Sequence, residues 1–357
     1  MLRKPFVIGF IVFGLIAAAI GASFYAYQRA YEYFANELPI LPEILSQPRP
    51  VSIATPSASQ DEVIVLPRAW DGKERVNILL LGIDQRAGES ERAYRTDTMI
   101  VFTLDPVTME AGILSIPRDI WVPIPGDFGQ PNYRINQANF LGDAYDYPGG
   151  GIALARRTVE NFLGIPIHFV ARINFTAFEN FIDRIGGITI DVPEPIYDPE
   201  YPTEDYGVEV FSLPAGLQTM DGATALKYAR TRHSRNGDFD RARRQQQVIL
   251  AVREKLKDPR TLALLIAGAP DMLRELGSSI KTDMTLDQMQ QLAVLAQNLE
   301  RDKIKSEVLD QRYTEFATTP DGSQVIIPIR ARIAELRERF FSSQAAGDAA
   351  EIRSTTP

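Results

Sequence analysis

A run of 22 residues without a charge, Phe6 to Tyr27, constrains this chain more than any other feature. At ~1.5 Å rise per residue a helix over it would be about 33 Å long, enough to cross the hydrocarbon core of a bilayer. Arg3 and Lys4 precede it, so residues 1–5 are expected inside and the rest of the chain outside, beyond a single-pass helix over 6–27. Tyr25, Tyr27 and Tyr31 stand where an interfacial aromatic belt would sit. A cleaved signal peptide is the competing reading, since small residues cluster from Ala17 to Ala22. The apolar part of a signal peptide is usually only ~7–15 residues, so length favours a retained anchor. Pro39, Pro42, Pro48, Pro50, Pro56 and Pro67 then break any long helix, and residues 28–75 read as a Pro-rich stalk.

Composition enters as exclusions. Cysteine is absent from all 357 residues, which removes disulfides, thiolate nucleophiles and cysteine metal sites. The two histidines, His168 and His233, are too few for a histidine-rich metal centre. His168 sits among apolar residues and reads as structural; His233 is a weak candidate base. A formal net charge of -8 argues against nucleic acid as a partner.

The domain begins with three apolar runs that read as strands: Val76 to Ile83, Thr98 to Leu104 and Ala111 to Ile116. The last two are joined by the turn-like Asp105-Pro106-Val107-Thr108. If the three are antiparallel neighbours, Asp84, Arg95, Asp97 and Arg118 all fall at one edge of the sheet. Any one of them alone is an ordinary solvated strand end. Four of mixed sign at one edge form a candidate cation–phosphate site, in which carboxylates hold Mg²⁺ and arginines neutralise phosphate oxygens.

A second constellation lies more than a hundred residues on. Lys227 to Arg244 holds seven Lys/Arg against two Asp, inside an acidic chain. Asp221 to Tyr228 reads as a short helix and Ala229 to Arg232 as extended, which would point Arg230 and Arg232 to one side. Asp240 to Leu256 reads as a helix whose stripe Arg241, Gln245, Val248 and Val252 is polar in its first turn and apolar afterwards. That pattern places a helix N-terminus, itself favourable for anions, at a polar site. Arg243 and Arg244 lie off the stripe and are expected at the surface. No aromatic residues interleave these arginines, as a nucleic-acid groove would need.

The chain carries weaker signals as well. Gly149-Gly150-Gly151 lacks a P-loop lysine and reads as a helix entry before Ile152 to Leu163. Gly186-Gly187 reads as a helix end before a strand. Asp191 to Glu209, with seven acidic residues and four prolines, reads as an exposed excursion. Beyond Asp258 helical pieces are expected over Leu262 to Leu276 and Leu286 to Leu299, covering the sheet.

At this point the sequence resembles the LytR-CpsA-Psr family of cell-envelope transferases. The matching segments are Asn77 to Asp84, Arg95 to Met99, Ser115 to Asp119, Arg134 to Ala138, Ile185 to Val192, Leu226 to Arg232 and Asp238 to Gln246. Each is weak alone; seven in the family's order, over about half the chain, are specific. Thr96 stands where the family usually has Ser, and Trp121-Val122 where some members carry another basic residue. The resemblance implies an α/β fold: a central mixed, largely antiparallel sheet flanked by helices, with an apolar lipid tunnel, preceded by one N-terminal transmembrane helix. It implies a catalytic domain over 76–257, a C-terminal helical part of the same domain over 258–344 and a disordered tail over 345–357. It implies transfer of a glycan polymer from a polyprenyl diphosphate carrier to peptidoglycan or another envelope acceptor. The diphosphate would be bound by Arg95, Arg118, Arg230, Arg232, Arg241 and Gln245. Mg²⁺ (or Mn²⁺) would be held by Asp84 and Asp97, with Asp238 the third aspartate of the site. Arg118, Asp97 and Asp238 would be catalytic, either aspartate being eligible as the base. No covalent enzyme intermediate and no organic cofactor are expected. A polyprenyl diphosphate hydrolase would use the same residues; a non-enzymatic envelope regulator or lipid-binding protein would keep its activity after Arg118→Ala or Asp97→Ala.

Overall fold

The computed structural model describes residues 73–85, 93–203, 205–275, 277 and 279–341, all within one compact unit. The expected transmembrane helix, the stalk except for residues 73–75, and the C-terminal tail lie outside the described residues. Among those described, no helix is long and apolar enough to cross a membrane.

In chain order the elements are β1 (Val76–Ile83), β2 (Thr96–Asp105), β3 (Glu110–Ser115), β4 (Trp121–Val122) and β5 (Tyr133–Arg134). Helices α1 (Gln137–Ala144) and α2 (Gly150–Leu163) come next, then β6 (Phe169–Asn174), α3 (Phe175–Arg184) and β7 (Ile188–Val192). Then come β8 (Ile196–Pro202), β9 (Val208–Leu213), β10 (Gly216–Met220), α4 (Gly222–Arg230) and α5 (Asp238–Leu256). The chain continues with α6 (Pro259–Glu275), β11 (Ile280–Thr282), α7 (Leu286–Gln297), β12 (Ile304–Val308), β13 (Thr314–Thr318), β14 (Gln324–Pro328) and α8 (Arg330–Phe341).

The central sheet runs β11-β6-β1-β2-β3-β12. β1, β2 and β3 are antiparallel neighbours, as the short turn at Asp105 requires; Asp105 Oδ1 accepts from the N–H groups of Val107 and Thr108. β6 joins β1, and β12 joins β3, in parallel, which makes the sheet mixed. The segment after Asp258 is therefore not only helical. Strands β11 and β12 are only three and five residues long and carry no apolar run, so the sequence gives no strand signal for them, and they complete both sheet edges.

Strand alternation separates two faces. Leu79, Leu81, Met99, Val101 and Leu114 face α1, α2 and α8 in the largest apolar cluster. Opposite, Ile78, Leu104, Ala111 and Phe169 pack with Leu292 and Leu299. The first face is dry. On the second, Leu80, Gly82, Thr98 and Phe102 keep partial solvent access although they lie in central strands. α5 crosses this second face: its Gln245 donates to Thr98 Oγ1 at 3.0 Å and its Gln246 to Ser115 Oγ at 2.9 Å. A third cluster ties α5 to α3, α4, β7 and the β8–β9 hairpin.

Candidate functional site

Two local features bring the first half of the site together. β1 and β2 pair up to Gly82–Thr98, then slip by one residue at Ile83–Thr96, so Asp97 is the extra residue of a bulge. Gly82 is required there, since a Cβ would lie 2.9 Å from Thr98 Cβ. β3 ends at Ser115, and three residues later Arg118 reaches back to Asp97 at the same edge. The second half is built by helix ends. The Asp221 carboxylate caps α4 by accepting from Thr224 N at 2.8 Å. The helix runs through Arg230 rather than stopping at Tyr228, and Thr231 (φ -54°, ψ 139°) turns the chain out of it. The expected extended pair at Arg230 and Arg232 is thus a helix terminus and a coil residue, and both side chains still line one pocket. α5 starts at Gly237, whose φ of 52° suits glycine, with Asp238 and Asp240 in its first turn where the helix dipole favours acids.

The two halves meet. Arg118 donates to Asp97 at 2.7 Å and to Asp238 at 3.2 Å. Arg232 reaches Asp97 at 3.4 Å and Asp238 at 3.2 Å. Arg241 bonds Asp238 and the backbone oxygen of Asp97, both at 3.2 Å. Arg230 lies 3.6 Å from Asp84, and its guanidinium sits 4.0 Å over the Phe175 ring. A pocket of about 470 Å³ is lined by Asp84, Asp97, Arg118, Arg230, Arg232, Arg241 and Gln245. Asp238 stands behind the arginines, and Arg95 is exposed and does not line the pocket.

Charge is unevenly compensated. Burial alone would push the Asp97 carboxyl up, but Arg118, then Arg232 and Arg241, hold it below its usual value. Arg118 is raised: burial opposes its charge, and Asp97, Asp238 and Asp119 more than restore it. Arg241 goes the other way. Burial and the nearby Arg232 and Arg118 press it down to about 10, against the help of Asp238 and Asp97. Its Nε is buried with no hydrogen-bond partner. A buried guanidinium crowded by like charges, at the wall of an open pocket, is in want of an anion.

A metal fits the donor chemistry. Asp84 and Asp97 are hard oxygen donors that both line the pocket, and Mg²⁺ is typically held by one or two carboxylates together with substrate phosphates and water. Among the described residues no group of three or more His, Asp or Glu donors converges, so the protein would supply only part of such a shell.

Several residues lie elsewhere than their local sequence pattern suggests. Arg244, expected at the surface, is buried and donates to the carbonyls of Tyr228 and Thr231, tying α4 to α5; Arg243 is exposed. One residue of helix phase separates them. The acidic segment from Asp191 is no mere excursion: its β8–β9 hairpin puts Asp198, Glu200 and Pro202 into the pocket wall, and Tyr201 accepts from Arg230 at 3.2 Å. The alternation of Asp198, Glu200 and Pro202 was the available signal. His168 is structural, its Nδ1 accepting from Asn77 N at 3.0 Å, and His233 lines the pocket. A larger cleft of about 600 Å³ lies around Arg312, Arg332 and Arg339, but each of these is paired with a carboxylate, so it presents no comparable deficit.

The chain is similar to known proteins in both sequence and fold. The model of the LytR_cpsA_psr family matches residues 46–341. The polyisoprenyl-teichoic acid–peptidoglycan teichoic acid transferase TagU of Bacillus licheniformis is 31% identical over 220 residues, covering 61% of this chain and 63% of its own. The chain thus spans less than two thirds of the length of that relative. The crystal structure of B. subtilis TagV is similar at a TM-score of 0.58 and 26% identity, over 77% of this chain and 98% of that one. A structure described as TagT bound to LI-WTA is similar at 0.56 and 26%, over 76% of this chain and 92% of that one.

Proposed function

The chain belongs to the LytR_cpsA_psr family, and we propose that it transfers a glycan polymer from a polyprenyl diphosphate carrier to a cell-envelope acceptor such as peptidoglycan. The observation that carries this reading is Arg241, a buried and under-compensated cation facing a pocket whose other cations converge on the same space. A diphosphate supplies the missing negative charge. Its oxygens would take the donors that Arg118, Arg230, Arg232 and Arg241 now share with aspartates, and Gln245 would add a neutral donor. These groups stand ready before charge develops, and removal of one such donor typically costs about 10²–10³ in rate. Asp84 and Asp97 would hold Mg²⁺, or Mn²⁺, which when bound neutralises charge on phosphate oxygens.

The lipid tail needs an apolar channel, and one face of the sheet supports it. Thr98 lines the pocket beneath Gln245 of α5, and Leu80, Gly82 and Phe102 on the same sheet face keep solvent access that a fully packed central strand would not keep. This tunnel belongs to the proposal, as does the single N-terminal anchor with the catalytic domain outside the membrane. Both follow from what the reaction needs: a carrier lipid held at the bilayer and an acceptor in the envelope.

The test is direct. The purified full chain should carry polyprenyl phosphate or diphosphate species, visible by mass spectrometry, and Arg118→Ala should lose them. With a lipid-diphosphate oligosaccharide as donor, product should depend on an added acceptor. Equal turnover without acceptor would make the protein a hydrolase.

A further inference from the structure

The pocket has two walls of opposite sign, and phosphate binding uses only the basic one. The other wall is β8, from which Asp198, Glu200 and Pro202 line the same space. β8 is fastened to the basic wall on both sides of Glu200. On one side the buried Asp198 carboxylate accepts from Thr231 Oγ1 at 2.5 Å. On the other, the Tyr201 hydroxyl accepts from Arg230 at 3.2 Å, with the guanidinium 5.5 Å from the Tyr201 ring. Between these two fastenings the hairpin register slips: Asp198 faces Phe211 while Tyr201 faces Glu209, so β8 carries one extra residue. Such a bulge re-aims side chains and is over-represented beside active sites. Glu200 is in it, exposed, and among the described residues its carboxylate makes no hydrogen bond or ion pair.

The remaining carboxylates of the pocket are committed. Asp84 faces Arg230, Asp97 is gripped by Arg118 and Arg232, and Asp198 holds Thr231. A carboxylate held ionised by guanidinium groups is a poor proton acceptor. His233 also lines the pocket, but it adjoins Arg232 on the basic wall, across from the acidic strand. Glu200 stands on the other wall, and among the described residues no guanidinium pairs with its carboxylate.

We propose that β8 is the acceptor side of the pocket and that Glu200 is the catalytic base of the transfer. The inference rests on the transferase reading. The acidic wall repels phosphate and admits a neutral sugar, so donor and acceptor are sorted by charge. The acceptor hydroxyl oxygen bonds to the phosphorus that carries the glycan. The bond from that phosphorus to the bridging oxygen breaks, and the bridging oxygen leaves with polyprenyl phosphate. The hydroxyl proton passes to Glu200 and from there to water.

The experiment uses the full chain in detergent, with a polyprenyl diphosphate-linked oligosaccharide as donor and a peptidoglycan fragment as acceptor. Glu200→Gln, isosteric and exposed, is expected to lower kcat by about 10²–10⁴ with the donor Kd unchanged, and Glu200→Asp to recover part of the loss. Wild-type kcat in Glu200→Gln overturns the proposal, as does a loss carried by His233→Gln alone. Failure of the transferase reading shows elsewhere: in the wild-type chain, as turnover indifferent to acceptor.

Discussion

Arg241 is the residue in which stability and function pull apart. It is buried, crowded by Arg118 and Arg232, and pressed down to about 10. Arg241→Met keeps the stem that packs in the first turn of α5 and removes the crowded charge; Asp238 retains Arg118 and Arg232. Transfer activity should fall by about 10²–10³, while the melting temperature should hold or rise, as measured by calorimetry without ligand. A drop in melting temperature would mean that the arginine is structural. His168 offers a prediction of a different kind. Burial, aided by Arg156 and opposed by Glu74, lowers its folded pKa below the ordinary 6.5. The unfolded chain therefore binds the proton more readily. The contribution is fully present above about pH 6.5 and is lost as pH falls through the lower folded value. Protonation would also cost the acceptor role of Nδ1 toward Asn77. Stability measured by urea denaturation should decline from pH 7 to pH 5, and His168→Gln should flatten that decline.

At the scale of elements, α5 organises the site. Its first turn supplies Asp238 and Arg241, its second Gln245, and Arg244 fastens the end of α4 from behind. Arg244→Met would leave two buried carbonyls, of Tyr228 and Thr231, without their donor. That should cost roughly 1.5–3 kcal/mol and weaken diphosphate binding although Arg244 does not line the pocket; chemical denaturation and calorimetric titration would read the two effects. The sheet's other face has its own constraint. Gly112 lies under Phe340 of α8, and a Cβ there would stand 2.4 Å from the ring. Gly112→Val should destabilise by about 1–3 kcal/mol through overpacking, with transfer kinetics of the folded fraction unchanged. The pattern of what was legible follows from these elements. The meander β1-β2-β3 was readable because continuous apolar runs joined by a short turn leave few topologies. Arg243 and Arg244 were not separable, because 100° of helix phase matters only once the neighbouring helix is in place. The β8–β9 hairpin read as an acidic loop because two prolines, Pro199 and Pro202, and a bulge interrupt the alternation of β8.

For the molecule as a whole, the diphosphate is expected to act as a missing part of the fold. At a hundredfold excess over Kd a bound ligand adds ~2.7 kcal/mol, or roughly 5–10 °C in a domain of this size. A short prenyl diphosphate should therefore raise the melting temperature with Mg²⁺ present, less so after chelation, and not at all in Arg118→Ala. Equal shifts with and without chelator would remove Asp84 and Asp97 from the metal role. What the sequence determined by itself was local or contiguous: the three strands and their turn, the polar-to-apolar stripe of α5, the order of the family's segments, and the uncharged run at the N-terminus. Each is encoded in periodicity or composition over a short window. What only the tertiary structure decided was convergence. Asp97 and Asp238 are far apart in the chain, and Arg118 and Arg232 bridge both because α5 lies across the sheet at the edge where β1 and β2 slip. The same folding brought β8 against Arg230 and gave the basic pocket its acidic wall. No local pattern carries that information, because the energy of a charge depends on which other charges, and how little water, surround it once the chain has folded.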